Sequence, residues 1–435
     1  MDPAPFQRRR QALLARMGAG LAVVPTAPER IRNRDTHHPY RADSYFHYLC
    51  GFPEPEAVLV LIAGQGDPGP QSVLFCREKN VDKEIWDGLR CGPAAAREAF
   101  GVDAAYPIGE FDAKLAEWLA DQPALWHSLG HDAVWDARIA QALNAVRAQA
   151  RAGKRAPAVI HDVRAALDEM RLVKDAHEIA LMRQAAAIAG AAHRRALRFV
   201  APGRFEYEVE AEFLHEFRRQ GAAAPAYPPI VAGGANACVL HYTANDQPLR
   251  TGELLLIDAG CEVAGYASDI TRSLPVNGRF SGPQKDLYAL VLAAQAAAIA
   301  AIRPGASFLD PHGAAVRVLA QGMLDLKLLE GSLAGVIESA SYKRFFMHRT
   351  GHWLGLDVHD AGEYRSGEEW CRLVPGMTLT VEPGCYIRPA DDVPAAFHGI
   401  GIRIEDDALV TADGCEILTA DTPKTIADIE ALMKK

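Results

Sequence analysis

Four acidic residues stand where apolar strands end, and they limit what this chain can fold into more than any other feature. Asp258 closes the run ELLLIDAG, and Asp269 follows in YASDITRSLPV. Glu382 closes MTLTVEPG, and Glu405 sits in GIRIEDD. Strand alternation puts Met377, Leu379 and Val381 on one face of MTLTVE, with Thr378, Thr380 and Glu382 on the other. In IRIE, Arg403 and Glu405 share a face opposite Ile402 and Ile404. Burying such a carboxylate beside an apolar strand is costly unless something neutralises it. Any one of the four is compatible with a turn or a surface position. Together they form a hard, oxygen-rich set that suits Mn²⁺ better than a thiolate site would. Two divalent ions would formally balance four carboxylates.

The histidines point the same way. FFMHRTGHWLGLDVHD, residues 345–360, holds His348, His352 and His359 out of fifteen histidines in the chain. His348 and His352 have the spacing of the helical HExxH zinc motif. Arg349 stands where that motif needs its glutamate, and Gly351 between the histidines disfavours a regular helix.

A length of 435 residues allows two domains, since a single core rarely grows past about 250–300 residues. The first 170 or so alternate strands and helices: AVLVLIAG (57–64) and QSVLFCR (71–77) read as strands, and 138–155 as a helix. Gly64, Gly66 and Gly69 satisfy GxGxxG after a strand, but Pro68, Pro70 and a second strand favour a hairpin over a dinucleotide site. A new unit opens near 174, where Asp175 and Glu178 form a capping box ahead of Ile179, Met182, Ala186 and Ala189 at helical spacing. That helix stops at Pro202-Gly203, and a second follows. The same grammar returns from about 284, with a stop at Pro304-Gly305, and each helical pair precedes acid-bearing strands. This hints at internal duplication.

The net charge of −9 argues against nucleic acid as the main partner. No run approaches the roughly 18 apolar residues of a membrane span. The eight cysteines are scattered without a CxxC pair, as reduced thiols of a cytoplasmic protein would be. MDPAPFQRRRQALLARMG reads as an amphipathic first helix, not as a signal peptide.

The order DAG…SDITR, HxxxHxLG, EPG, GIRIEDD resembles the pita-bread metallopeptidase family. VLHYTAND (239–246), LTVEPGCYI (379–387) and PYRADSYFHYLCGFPEPEAVLVL (39–61) extend the likeness to its aminopeptidase P branch over essentially the whole chain. The resemblance implies a creatinase-like α/β N-terminal domain over 1–173 and an α+β pita-bread catalytic domain over 174–435. It implies hydrolysis of the N-terminal residue from peptides with proline second. It implies two divalent ions held by Asp258, Asp269, His352, Glu382 and Glu405, with Asp269 and Glu405 bridging. Mn²⁺ is the expected metal, with Zn²⁺ and Co²⁺ as alternatives. Glu382 would carry the proton from water to the prolyl nitrogen. His359 would support the intermediate or the proton route, and His348 and His241 would contact substrate. Arg403 would orient a ligand through an Arg–carboxylate contact. Tyr227 and Tyr386 resemble pocket aromatics, and Trp86 one that reaches a neighbouring subunit's cleft in a dimer or tetramer. A prolidase limited to Xaa-Pro dipeptides remains an alternative, as does a non-catalytic or metal-independent relative. One position departs from the pattern: Arg349 stands where a glycine is expected, which bears on the loop's conformation and on the charge of the cleft.

Overall fold

The computed structural model describes residues 2–64 and 71–434. It divides at Met170 and Arg171 into two units. In the first, a six-stranded mixed sheet runs in the order 104–107, 71–76, 58–63, 20–25, 124–126, 159–161. Val58–Ala63 and Gln71–Cys76 pair antiparallel from Val58 opposite Phe75 to Ile62 opposite Gln71. The next described element after Gly64 is an antiparallel partner strand, while Gly66 and Gly69 lie outside the described residues. Leu21, Val23, Val58, Val60, Val73 and Phe75 form a core with the helices Phe111–Leu119 and Ala133–Arg147.

Two local expectations shift. The helix read over 138–155 begins at Ala133, because the Asp132 side chain accepts the Val134 and Trp135 N–H groups. It ends at Arg147, and only a short 3-10 turn, Ala150–Ala152, follows. The first helix, Ala4–Met17, does not leave all its arginines in water. Arg10 is 2% exposed and donates to the carbonyls of Leu49 at 2.9 Å and Gly101 at 2.6 Å. The short helix Val81–Asp87 buries nothing: Val81, Ile85 and Trp86 are exposed, as is Leu89 beyond it.

The second unit is built from two helical pairs, each leading into antiparallel strands. Ala176–Phe199 starts with the Asp175/Glu178 capping box and packs with Glu206–Arg219. Gly282–Ala301 packs with Asp310–Asp325. After the first pair, Ile230–Gly233, Leu254–Asp258 and Thr271–Pro275 form one sheet, with Asp258 opposite Thr271. After the second, Thr378–Val381, Asp406–Val410 and Cys415–Ile417 form another, with Val381 opposite Asp406. The acids thus leave both strand pairs at corresponding ends. Met377, Leu379, Val381, Ile402 and Ile404 enter the hydrophobic core, as their alternation requires. Among the described residues, no helix is long and apolar enough to cross a membrane.

Candidate metal centre and cleft

The histidine segment owes its position to the strand beside it. Glu382 N–H donates to Thr350 O, Thr380 N–H to His352 O and Leu354 N–H to Thr378 O, at 2.8, 3.0 and 3.1 Å. HRTGHWL therefore runs extended along Thr378–Val381, with no helix. Gly351 permits the close approach, since a Cβ there would lie 2.1 Å from the Thr380 carbonyl oxygen. Alternation then sends Trp353 into the core, fully buried, and leaves His352 beside Thr380 and Glu382. The Thr380 hydroxyl accepts the His352 N–H at 3.1 Å and donates to Glu382 at 3.3 Å.

Asp258, Asp269, His352, Glu382 and Glu405 all line one cavity of about 880 Å³. Donor atoms of Asp269, His352 and Glu405 lie within 4.8 Å of one another. His352 Nε2 is 3.5 Å from Asp269 and 3.6 Å from Glu382. Its Nδ1–H donates to the Trp353 carbonyl at 2.9 Å, which leaves Nε2 as the nitrogen that could hold a metal. Tyr227 has one hydroxyl proton and touches two carboxylates, Asp258 at 2.6 Å and Asp269.

The electrostatics show how crowded the acids are. Burial, then Asp269, Glu382 and Asp258, push the Glu405 carboxyl well above its ordinary value. Burial and Asp258 raise Asp269. Burial, with Asp269 and Asp258, pushes Glu382 up to about 7 against the pull of His352 and Arg403. Burial would lower His352, yet Asp269 and Glu382 carry it up to about 9. Four carboxylates facing one guanidinium and one imidazole form a donor set that fits divalent cations.

The remaining residues separate by position. Arg403, 4% exposed, donates to Asp258 at 2.6 Å, to Tyr386 at 3.0 Å and to Thr271 at 3.1 Å. Its carboxylate partner is thus Asp258, not Glu405 on its own strand face. Thr271 links the two by donating to Glu405 at 2.6 Å. Tyr386 is 1% exposed and sits behind the cleft wall, where its hydroxyl donates to His348 Nε2 at 2.8 Å while accepting from Arg403. His348 Nδ1–H donates to the Arg349 carbonyl at 2.7 Å, and burial with Arg403 pulls its pKa down to about 4. Both ring nitrogens of His348 thus have partners within the protein. His359 meets His352 edge to face at 4.3 Å, and burial then His352 lower its pKa. His241 and Tyr227 line the same cavity. Trp86 lies in the other unit and is 86% exposed.

Four contributors carry little signal in the sequence. Thr271 was within reach, being two residues along an alternating strand from Asp269. Asp407, whose carboxylate accepts the Asp269 N–H at 3.2 Å, looked like one more acid in GIRIEDD. Arg365 and Trp370, on the two-residue strands Arg365–Ser366 and Glu369–Trp370, line the cleft without any periodicity that would announce them. Arg349 also lines it, and its φ is not positive, so the arginine takes the place of the expected glycine without backbone strain.

Residues 180–412 match metallopeptidase family M24, and residues 6–126 match the aminopeptidase P N-terminal domain. The chain is 46% identical to a Xaa-Pro aminopeptidase of Escherichia coli (strain K12) over 98% of this chain and 97% of that one. It is 36% identical to Xaa-Pro aminopeptidase 3 of Mus musculus, over 95% and 80%. Among solved structures, Pseudomonas aeruginosa aminopeptidase PepP superposes with a TM-score of 0.97 at 49% identity, covering 100% of this chain and 98% of that one. Zinc-substituted E. coli aminopeptidase P in complex with product gives 0.97 at 46%, covering 100% and 98%.

Proposed function

Since this chain belongs to metallopeptidase family M24, we propose that its cleft removes the N-terminal residue from peptides whose second residue is proline. The observation that carries the reading is the convergence of Asp258, Asp269, His352, Glu382 and Glu405 on one cavity, in a chain alike over its whole length to Xaa-Pro aminopeptidases. Divalent cations held by these five side chains would supply Lewis acidity and a water of lowered pKa. The protein's own part is proton handling and orientation. Glu382 takes a proton from the attacking water and delivers it to the prolyl nitrogen, a tertiary amide that leaves only once protonated. Arg403 fixes Asp258, Thr271 fixes Glu405, and Tyr386 fixes His348. His348, His359 and His241 face substrate across the cleft, with Tyr227 beside them.

Mn²⁺ is the proposed metal on the oxygen-rich donor set, and the cytoplasm the proposed compartment. A homo-oligomer is proposed on the exposed apolar Val81, Ile85, Trp86 and Leu89, with Trp86 as the contact toward a neighbouring copy. Protein reconstituted with Mn²⁺ should cleave Xaa-Pro-Yaa peptides. Turnover of Xaa-Pro dipeptides alone would make it a prolidase. Less than one equivalent of bound metal would favour a non-catalytic or metal-independent relative.

A further inference from the structure

Arg349, the one departure from the motif, lies against a specific partner. Its guanidinium carbon is 4.5 Å from the centre of the Trp370 ring, and that of Arg365 is 5.8 Å from the same ring. Both arginines line the cavity that gathers the carboxylates, and both are exposed. Glu363, Glu368 and Glu369 flank the hairpin, yet among the described residues neither guanidinium has a carboxylate within ion-pair distance. The third arginine of the cavity, Arg403, is already committed to Asp258, Tyr386 and Thr271.

Stacking supports a guanidinium through its face and leaves its N–H edge free. That edge is the one a carboxylate engages with two parallel hydrogen bonds. Two cations sharing one indole repel, and an anion between them removes the repulsion.

We propose that Arg349, stacked on Trp370 with Arg365 beside it, is a specificity-determining residue that pairs with a carboxylate of the peptide substrate. The inference rests on the peptidase reading above. In a peptide with proline second, that carboxylate is the free C-terminus of a short peptide or an acidic side chain at the first or third residue.

The test compares kcat/KM for Ala-Pro-Ala, its C-terminal amide, and the amides of Ala-Pro-Glu and Glu-Pro-Ala. Wild type, Arg349→Met and Arg349→Lys are each loaded with Mn²⁺ at low ionic strength. One carboxylate-bearing peptide should exceed the neutral amide by about tenfold in wild type, mainly through KM. The ratio should fall towards unity in Arg349→Met, survive partly in Arg349→Lys, and shrink as salt is added. Which of the three peptides loses its advantage identifies the carboxylate. Equal ratios in wild type and Arg349→Met for all three would overturn the proposal. Calorimetric binding of prolyl-alanine and its amide separates the two claims. Should wild type turn over none of the peptides, the peptidase reading fails. The Arg349 inference then stands or falls on whether the acid binds tighter than the amide only when Arg349 is present.

Discussion

Two kinds of buried acid occupy the second unit within a few residues of each other. Asp406 is fully buried, with Arg272 at 2.7 Å and Lys424 at 2.6 Å, and these cations hold it below its ordinary pKa despite burial. Asp360 is held down in the same way by Lys174 at 2.9 Å and Arg171 at 2.6 Å. Glu405, next to Asp406 in sequence, is pushed up instead, because acids surround it. Burial is similar in both settings. The difference lies in whether the chain supplies the counter-charge itself. Balanced clusters tie stretches distant in sequence together, and the unbalanced one requires cations from outside.

This contrast can be tested from its largest consequence downwards. Glu382→Gln would remove the proposed ligand and proton carrier at once, so turnover should drop at least about 100-fold and as much as about 10⁴-fold in a steady-state assay. Substantial remaining activity would sink the role given to Glu382. Asp360→Asn takes the carboxylate from buried Lys174 and leaves Arg171 with Asp357 at 2.7 Å, so it should cost about 3 kcal/mol in urea unfolding, while bound metal per folded chain stays at the wild-type level. Loss of metal in that variant would erase the distinction between the clusters.

A smaller effect comes from beneath the centre, where His193 is 1% exposed and its Nε2 faces the Ala259 carbonyl at 3.0 Å. Burial, then Arg272, hold its pKa down to about 3. The unfolded chain takes up this proton below about pH 6.5, whereas the folded chain resists until about 3. The stabilisation is therefore complete above pH 6.5 and is lost progressively as pH falls, by about 2 kcal/mol at pH 5. His193→Gln should flatten that slope between pH 6.5 and 5 in urea midpoints. An unchanged slope would assign the acid sensitivity to the carboxylates. The smallest effect has the opposite sign to Asp360→Asn. In chelator-treated protein at pH 7, Glu405→Gln should raise the unfolding free energy by about 1 kcal/mol, by relieving like-charge crowding. A destabilised variant would show that the acids are balanced without cations.

Much of the centre was legible in the sequence because strands impose a period of two. That period put Met377, Leu379 and Val381 inward and Glu382 on the other face, and the structure keeps both. The Asp175/Glu178 cap was equally plain, since its signal spans four residues. Contacts made across the fold had no such signal. Tyr386 follows EPG as a pocket aromatic might, but its neighbours in space, His348 and Arg403, turn it behind the wall. The partner of Arg403 was expected along its own strand, and the bond goes to Asp258 on another sheet. The hairpin that brings Trp370 to Arg349 has strands of two residues, too short for any pattern to show.

The pairing of HRTGHWL with Thr378–Val381 also bears on how this segment tolerates length change. His352 and Trp353 are neighbours pointing to opposite sides, one to the carboxylates and one to the core. Deleting or inserting a single residue between Thr350 and His352 would exchange them, driving an indole among acids and an imidazole into hydrocarbon. A side chain can differ here without changing the register, as at Arg349, whereas a one-residue slip would reverse every position.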